Sequence, residues 1–399
     1  MNKRTEVLAG ITTFAAMMYI LVVNPAILSA SGMPKDAVFT ATVLASAVMT
    51  IMMGLFTNLP IAMAPGMGLN AFFTYTICIG ANIPWSAALG MVFYSGVLFF
   101  IMTLTGARKR ILKLIPESIR IGLTVGIGLF ITLIGLKNAG IVVAHPATLL
   151  TLGDVKDPRL MIILGGILLS AFLHYKNVAA NLLISIGFIT VSFMVMGYVE
   201  APSAIVSLPP SLAPTFLKMD LMYFWQNIAI CLPLTLSLFF IDLFDNMGTM
   251  IAVCTRAKLV DDKGEILNLD RALKADAAAA MFGAAVGTSS VTSYIESATG
   301  VEQGGRTGLT SITTGVCFLL ALFLSPLLLS IPLSATTPAL VLVGYFMLSE
   351  AKKLDFDKIE TALPAFMTMI MIPFTFSIAE GLAFGLVSYA ILNLTKRHL

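Results

Sequence analysis

The chain has 399 residues, of which 58% are hydrophobic and 11% charged, whereas an ordinary soluble domain carries about a quarter charged residues. That balance excludes a water-soluble surface, and a net charge of +3 is too small to argue for attraction to nucleic acid or an acidic partner. Cys78, Cys231, Cys254 and Cys317 lie in or beside apolar stretches without a C-x-x-C pair, so they suggest neither a disulfide framework nor a zinc site and read as small packing groups.

Charge-free runs extend from Val7 to Pro34, Ala37 to Ala107, Leu221 to Ile241, Ala277 to Ile295 and Thr307 to Ser349. A spanning helix needs about 20 such residues, so several runs hold more than one span, and no soluble core buries this many together. The first run follows Lys3 and Arg4 and contains Leu28-Ser29-Ala30, which resembles a signal-peptide cleavage site. It is too long for the apolar core of a signal peptide and reads as a first span. Breaks at proline, glycine and charge clusters then place spans near 7–29, 37–57, 61–80, 84–105, 119–136, 159–174, 178–198, 228–253, 270–287, 289–303, 309–330, 337–349, 361–377 and 380–395. This predicts an all-α polytopic membrane protein with fourteen segments. An even count returns both termini to one side, and nineteen of the 24 lysines and arginines fall on that side, which makes it cytoplasmic by the positive-inside rule. The alternating basic and apolar stretch from Ala107 to Ile119 suits an interfacial amphipathic helix or a solvated loop.

The chain divides at 201–227, where Pro202, Pro209, Pro210 and Pro214 interrupt a polar external connection. Residues 1–200 and 228–399 then hold seven segments each. Seven is odd, so the second half enters the membrane in the opposite sense, the arrangement of inverted-repeat carriers whose binding site is built from interrupted helices near the midplane. The third segment of each half is the irregular one. In the first half, Ala64 to Phe73 (APGMGLNAFF) is too rich in Gly and Pro for an unbroken helix. In the second, Gly283 to Glu296 (GAAVGTSSVTSYIE) carries residues that favour extended backbone. Irregular backbone at membrane depth survives only where protein or a water-filled cavity satisfies its polar groups, so two such places in matching positions point to one shared cavity.

An acid at membrane depth is costly and marks a functional site by default. Asp242 and Asp245, three residues apart, share one face of segment eight, and Glu296 follows the extended part of segment ten. No basic residue stands beside these acids in sequence, and burial without a cation favours the neutral form of a carboxyl group, so at least one is placed to bind and release a proton in a transport cycle. Glu6, Asp276 and Glu380 lie near segment ends, where interfacial solvation accounts for them. Catalytic chemistry finds less support. His145, His174 and His398 fall in loops or the tail, no H-E-x-x-H is present, and an aspartyl dyad would need acids from two separate helices.

Three stretches resemble the nucleobase-cation symporter-2 family, and within it the adenine, guanine and hypoxanthine permease branch: Ala64 to Phe73, Ile241 to Thr249 (IDLFDNMGT) and Thr288 to Leu309 (TSSVTSYIESATGVEQGGRTGL). The resemblance implies a seven-plus-seven inverted repeat in which segments three and ten contribute short antiparallel strands. It also implies a core domain from segments 1–4 and 8–11 and a gate domain from segments 5–7 and 12–14. Carried over by position, Asn70, Asp242 and Glu296 look like substrate-binding residues, with Tyr294, Ile295 and Ser297 beside them. Asp245, Glu296 and Asp242 look like the proton-coupling set. Asn246 stands where the branch usually has Thr, which bears on substrate preference.

The chemistry is coherent with that picture. A purine is polar at its edge and apolar on its face, matching carboxylates and amides at a rim with aromatics such as Phe73, Phe72 or Tyr294 against the ring. The expected function is proton symport of a purine nucleobase through a plasma membrane, the inner membrane in a bacterium, with no cofactor or metal and with a homodimer left open. A uracil, xanthine or urate carrier on the same scaffold, an anion carrier of the related sulfate-permease fold, and an intramembrane enzyme are the alternatives. Sodium as the coupling ion and the order of preference among purines are also open.

Overall fold

The computed structural model describes residues 2–105, 116–202, 204–260, 266 and 268–396, with side chains described as far as residue 392. Segment one is α1 (Lys3–Met17) followed by α2 (Ile20–Ser29), and segment two is α3 (Lys35–Thr57). Segment three is composite: β1 (Met63–Pro65), α4 (Met67–Ala71) and a π-helical stretch, Phe72–Gly80. Then come α5 (Trp85–Leu104), α6 (Glu117–Asn138), a hairpin of β2 (Val142–His145) and β3 (Leu149–Leu152), α7 (Pro158–Tyr175) and α8 (Asn181–Val195). The second half begins after a short α9 (Leu221–Gln226) with α10 (Ile228–Arg256) and α11 (Leu269–Val286). Segment ten is β4 (Val291–Ser293) with α12 (Ser297–Glu302). The remaining helices are α13 (Gly308–Ala321), α14 (Ser325–Leu329), α15 (Thr337–Leu348), α16 (Ile359–Thr375) and α17 (Ile378–Lys396). Among the described residues, eight helical stretches are long and apolar enough to cross a membrane and four shorter ones are apolar. Together with α11 and the strand-helix of segment ten they match the fourteen segments read from sequence.

The helices pack in two sets. In one, α3 lies against α13 and α11, α1 against α13 and α12, and α5 against α11 and α10. In the other, α6 lies against α15 and α16, α16 against α17, and α7 against α8 and α15. Close approach of the first set depends on small residues, as is usual where no hydrophobic force drives helices together in lipid. At the crossing of α3 and α13, a Cβ on Gly308 would run into the carbonyl oxygen of Gly54. The same point is capped from two sides. Asn58, left-handed at φ 56°, accepts the Gly308 N–H at 2.9 Å, and Glu6 accepts the N–H groups of Arg306 and Thr307 at 3.2 Å each and the Thr310 hydroxyl at 2.6 Å.

Several expectations need correction. Glu6 is 3% exposed rather than solvated at an interface, because the orphan N–H groups ahead of α13 replace water as its donors. Asp276 is likewise buried, at 1% exposure, on α11, whereas Glu380 is exposed. Segment three is partly unwound as its Gly and Pro content implies: residues 58–66 are not helical, Met63–Pro65 among them forming a strand, and helix resumes at Met67. His174 lies in the last turn of α7 rather than in a loop, and its ring centroid is 4.8 Å from that of Phe346. The β2–β3 hairpin, with Val142 opposite Leu152 and His145 opposite Leu149, adds a second small sheet to the one expected at segments three and ten. Most of the amphipathic helix expected over Ala107 to Ile119 lies outside the described residues, as does His398.

Gly308→Val tests the crossing. The added side chain must displace the α3 backbone, and overpacking of this kind costs about 1–3 kcal/mol. The purified variant is expected to unfold at a lower temperature than the parent, and an equal midpoint would show that α3 and α13 separate without cost.

Candidate functional site

Segments three and ten meet as two three-residue strands. β1 and β4 are antiparallel, with Met63 opposite Ser293, Ala64 opposite Thr292 and Pro65 opposite Val291. The pairing continues past both ends, because Gly66 N–H bonds to the Ser290 carbonyl and Tyr294 N–H to the Ala62 carbonyl, both at 3.0 Å. Gly287, at φ 93°, ends α11 in a conformation that L-residues rarely adopt and turns the chain into this strand. Side chains complete the accounting of polar backbone. The Ala62 N–H donates to Ser297 Oγ at 3.0 Å, Thr50 Oγ1 accepts the Met63 N–H at 2.8 Å and donates to its carbonyl at 3.0 Å, and Ser311 Oγ donates to the carbonyls of Leu59 and Ile61 at 2.8 and 2.9 Å.

Around this crossing the structure gathers the acids. Asp242 on α10 is 3% exposed and accepts from Ser290 Oγ at 2.7 Å, which fixes it to the start of segment ten. Asp245, three residues on and half-buried, interacts electrostatically with both Asp242 and Glu296. Glu296, also half-buried, accepts from Tyr19 Oη at 2.6 Å. Three carboxyl groups from two segments thus share one environment, within reach of Tyr294, which interacts with both Glu296 and Asp245.

The other predicted residues are placed differently. Asn70 is fully buried, and its side chain accepts from Ser289 Oγ and donates to the Pro65 carbonyl at 3.4 Å, so in this conformation it ties segment three to segment ten. Tyr294 donates to the same Pro65 carbonyl at 2.5 Å. Proline has no N–H of its own, and its carbonyl here serves as the hub of the crossing. Ser297 is buried and engaged with Ala62. Ile295 is exposed, its carbonyl accepting the Ala298 N–H at 2.9 Å. Phe73 is fully buried in the apolar cluster that also holds Phe72, Tyr19 and Tyr294.

Four polar partners escaped the sequence reading. Ser289 and Ser290 lie inside a recognised stretch, where their residue type signals only extended backbone. Asn24 donates to Thr42 Oγ1 at 2.7 Å and to Thr288 Oγ1 at 2.9 Å, joining segments one, two and ten. Tyr19 offered a usable signal. It falls midway along segment one, whereas tyrosines in membrane proteins concentrate at the interfaces.

A family model described as a permease family (Xan_ur_permease) matches residues 4–384. The chain belongs to that family. The permease is 42% identical over 393 residues to the adenine permease AdeP of Escherichia coli, covering 98% of this chain and 88% of that one. It is 42% identical over 408 residues to the guanine/hypoxanthine permease PbuG of Bacillus subtilis, covering 99% and 92%. Its fold is that of the transmembrane domain of the cyanobacterial bicarbonate transporter BicA, with a TM-score of 0.70 at 15% identity over 96% of this chain and 97% of that one. The permease is therefore a fourteen-segment, seven-plus-seven inverted repeat, with strands at segments three and ten.

Asn70→Ala removes the acceptor of Ser289 and a donor to Pro65 together. Leaving buried hydrogen-bonding groups unpaired costs about 1–3 kcal/mol, so the purified variant should show a lower thermal midpoint. A midpoint equal to wild type would mean that the amide does not hold the two segments together.

Proposed function

We propose that this permease is a secondary transporter that imports purine nucleobases by proton symport with alternating access. The observation that carries the reading is the convergence of Asp242, Asp245 and Glu296 beside two interrupted segments, in a chain whose relatives at 42% identity are named adenine and guanine/hypoxanthine permeases. Ionised carboxylates accept bonds from the ring and exocyclic N–H groups of a purine, and a protonated carboxyl donates to a ring nitrogen or carbonyl. A change of protonation therefore changes which partner the ligand meets, and that difference is what lets a proton gradient drive accumulation.

In this reading Asp242 and Glu296 hold the polar edge of the base, while Tyr294 and Phe73 border its face. Ile295 and Ser297 shape the backbone beside it, and Asn70 keeps the crossing closed under it. Asp245 and Glu296, with Asp242, carry the coupling proton. The helix set of segments 1–4 and 8–11 is the core domain that bears the site, and segments 5–7 and 12–14 are the gate against which it moves. The lysine and arginine distribution supports both termini lying in the cytoplasm of a plasma-membrane protein.

Purified protein in liposomes, given an inward proton gradient and offered radiolabelled adenine, guanine, hypoxanthine, xanthine or uracil, tests the proposal. At least one purine is expected to accumulate, a protonophore to abolish the accumulation, and Glu296→Gln to lower gradient-driven uptake at least tenfold, the loss of about 1.4 kcal/mol or more. Uptake that ignores the protonophore would remove proton coupling, uptake by Glu296→Gln at the parental rate would remove the site assignment, and preference for uracil or xanthine would move the substrate class.

A further inference from the structure

Tyr19 belongs to none of the recognised stretches, yet its hydroxyl reaches 277 positions along the chain to Glu296. It stands where segment one passes from α1 to α2. There the helix tightens, with the Leu21 N–H bonded to the Met18 carbonyl and the Val22 N–H to the Tyr19 carbonyl, each three residues back and each at 3.1 Å. Pro25 inside α2, which cannot donate to the Leu21 carbonyl and crowds that oxygen, follows within the next turn. A tightened turn within a helix is a common site of hinges. The Tyr19 ring is 1% exposed and packed in the apolar cluster with Phe72, Phe73 and Tyr294, so the direction of the hydroxyl is set by packing before it meets the carboxylate.

We propose that Tyr19 is a positioning residue: its hydroxyl aims the Glu296 carboxylate into the site and links the turn of segment one to the state of that acid. Its consequence for uptake rests on the transport reading above, whereas its geometry does not. A phenol donates more strongly to an ionised carboxylate than to a neutral one, so arrival of a proton on Glu296 loosens the tie between segments one and ten and its departure restores it. The titratable groups facing Glu296 are Tyr19 from segment one, Asp245 and beyond it Asp242 from α10, and Tyr294 from its own segment. Segment one is thereby the third element, after segments eight and ten, with a hand on the coupling acids.

Tyr19→Phe keeps the ring and deletes only the hydroxyl. In infrared difference spectra of the full-length protein, the carboxyl band identified by its loss in Glu296→Gln is expected to shift in Tyr19→Phe, because one donor has gone. In liposomes the KM for the transported purine is expected to rise about tenfold at unchanged Vmax per mole of protein, the loss of one charge-assisted bond. Tyr75→Phe, which removes a hydroxyl that accepts from Asn138, serves as the control and should leave both readouts at parental values. An unshifted Glu296 band, an unchanged KM in protein that transports, or an equal effect of Tyr75→Phe would each overturn the assignment. If the parent carries no purine, the transport reading falls by itself and the infrared comparison still decides the role of Tyr19.

Discussion

Everything about this site follows from the intolerance of the hydrocarbon core for unpaired backbone. A strand of three residues would not persist alone at membrane depth, because each unsatisfied N–H or C=O costs several kcal/mol there. Here two such strands, β1 and β4, satisfy one another, and Thr50, Ser297 and Ser311 take up carbonyls and N–H groups that the pairing leaves over. The two interruptions are therefore a single structural unit: neither could exist without the other. That mutual dependence forces segments three and ten to cross at one point, and the crossing is what brings residues near 65 and near 295 together.

Once the crossing exists, acids can be placed around it at tolerable cost. Ser290, immediately before β4, donates to Asp242, and Glu296, just beyond the strand, is met by Tyr19 from segment one. Each of these carboxylates is thus held by a residue of a different segment, so a change in its charge is felt across a helix boundary and not merely within one helix. The proposed proton symport draws on that property, since a proton-coupled carrier has to convert the free energy of proton binding into relative movement of packed elements.

The length and order of the segments were legible from apolarity together with breaks at proline, glycine and charge, because a lipid solvent writes its thickness into the chain in a way that no soluble core does. The site was legible in part. Acids in apolar runs announce themselves through their cost, and the Gly- and Pro-rich stretch from Ala64 to Phe73 and the strand-favouring one from Gly283 to Glu296 mark where helix gives way. What stayed hidden was partnership. Nothing in the residue types says that Asn70 would spend its amide on Ser289 and Pro65, or that Glu6, close to the N-terminus, would be buried under α13. The contacts of Asn70 with Ser289 and of Glu6 with Thr310 join residues more than 200 positions apart, which periodicity and spacing do not encode. The β2–β3 hairpin escaped for a different reason: Val142–His145 and Leu149–Leu152 are as apolar as the spans that flank them, and alternation is invisible where both faces are apolar.

The likeness in fold to a bicarbonate transporter at 15% identity sharpens the question of what selects a ligand. A shared backbone architecture leaves the chemistry of the cargo open, because function resides in the groups grafted onto a fold. An anion would be repelled by three carboxyl groups gathered at the crossing, and its carrier should present basic or neutral groups in their place. A neutral, edge-polar heterocycle meets no such penalty, and it offers N–H donors that carboxylates are suited to accept. On the proposed reading, the strands of this permease supply the place, and Asp242, Asp245 and Glu296 supply the sign that favours such a cargo over an anion.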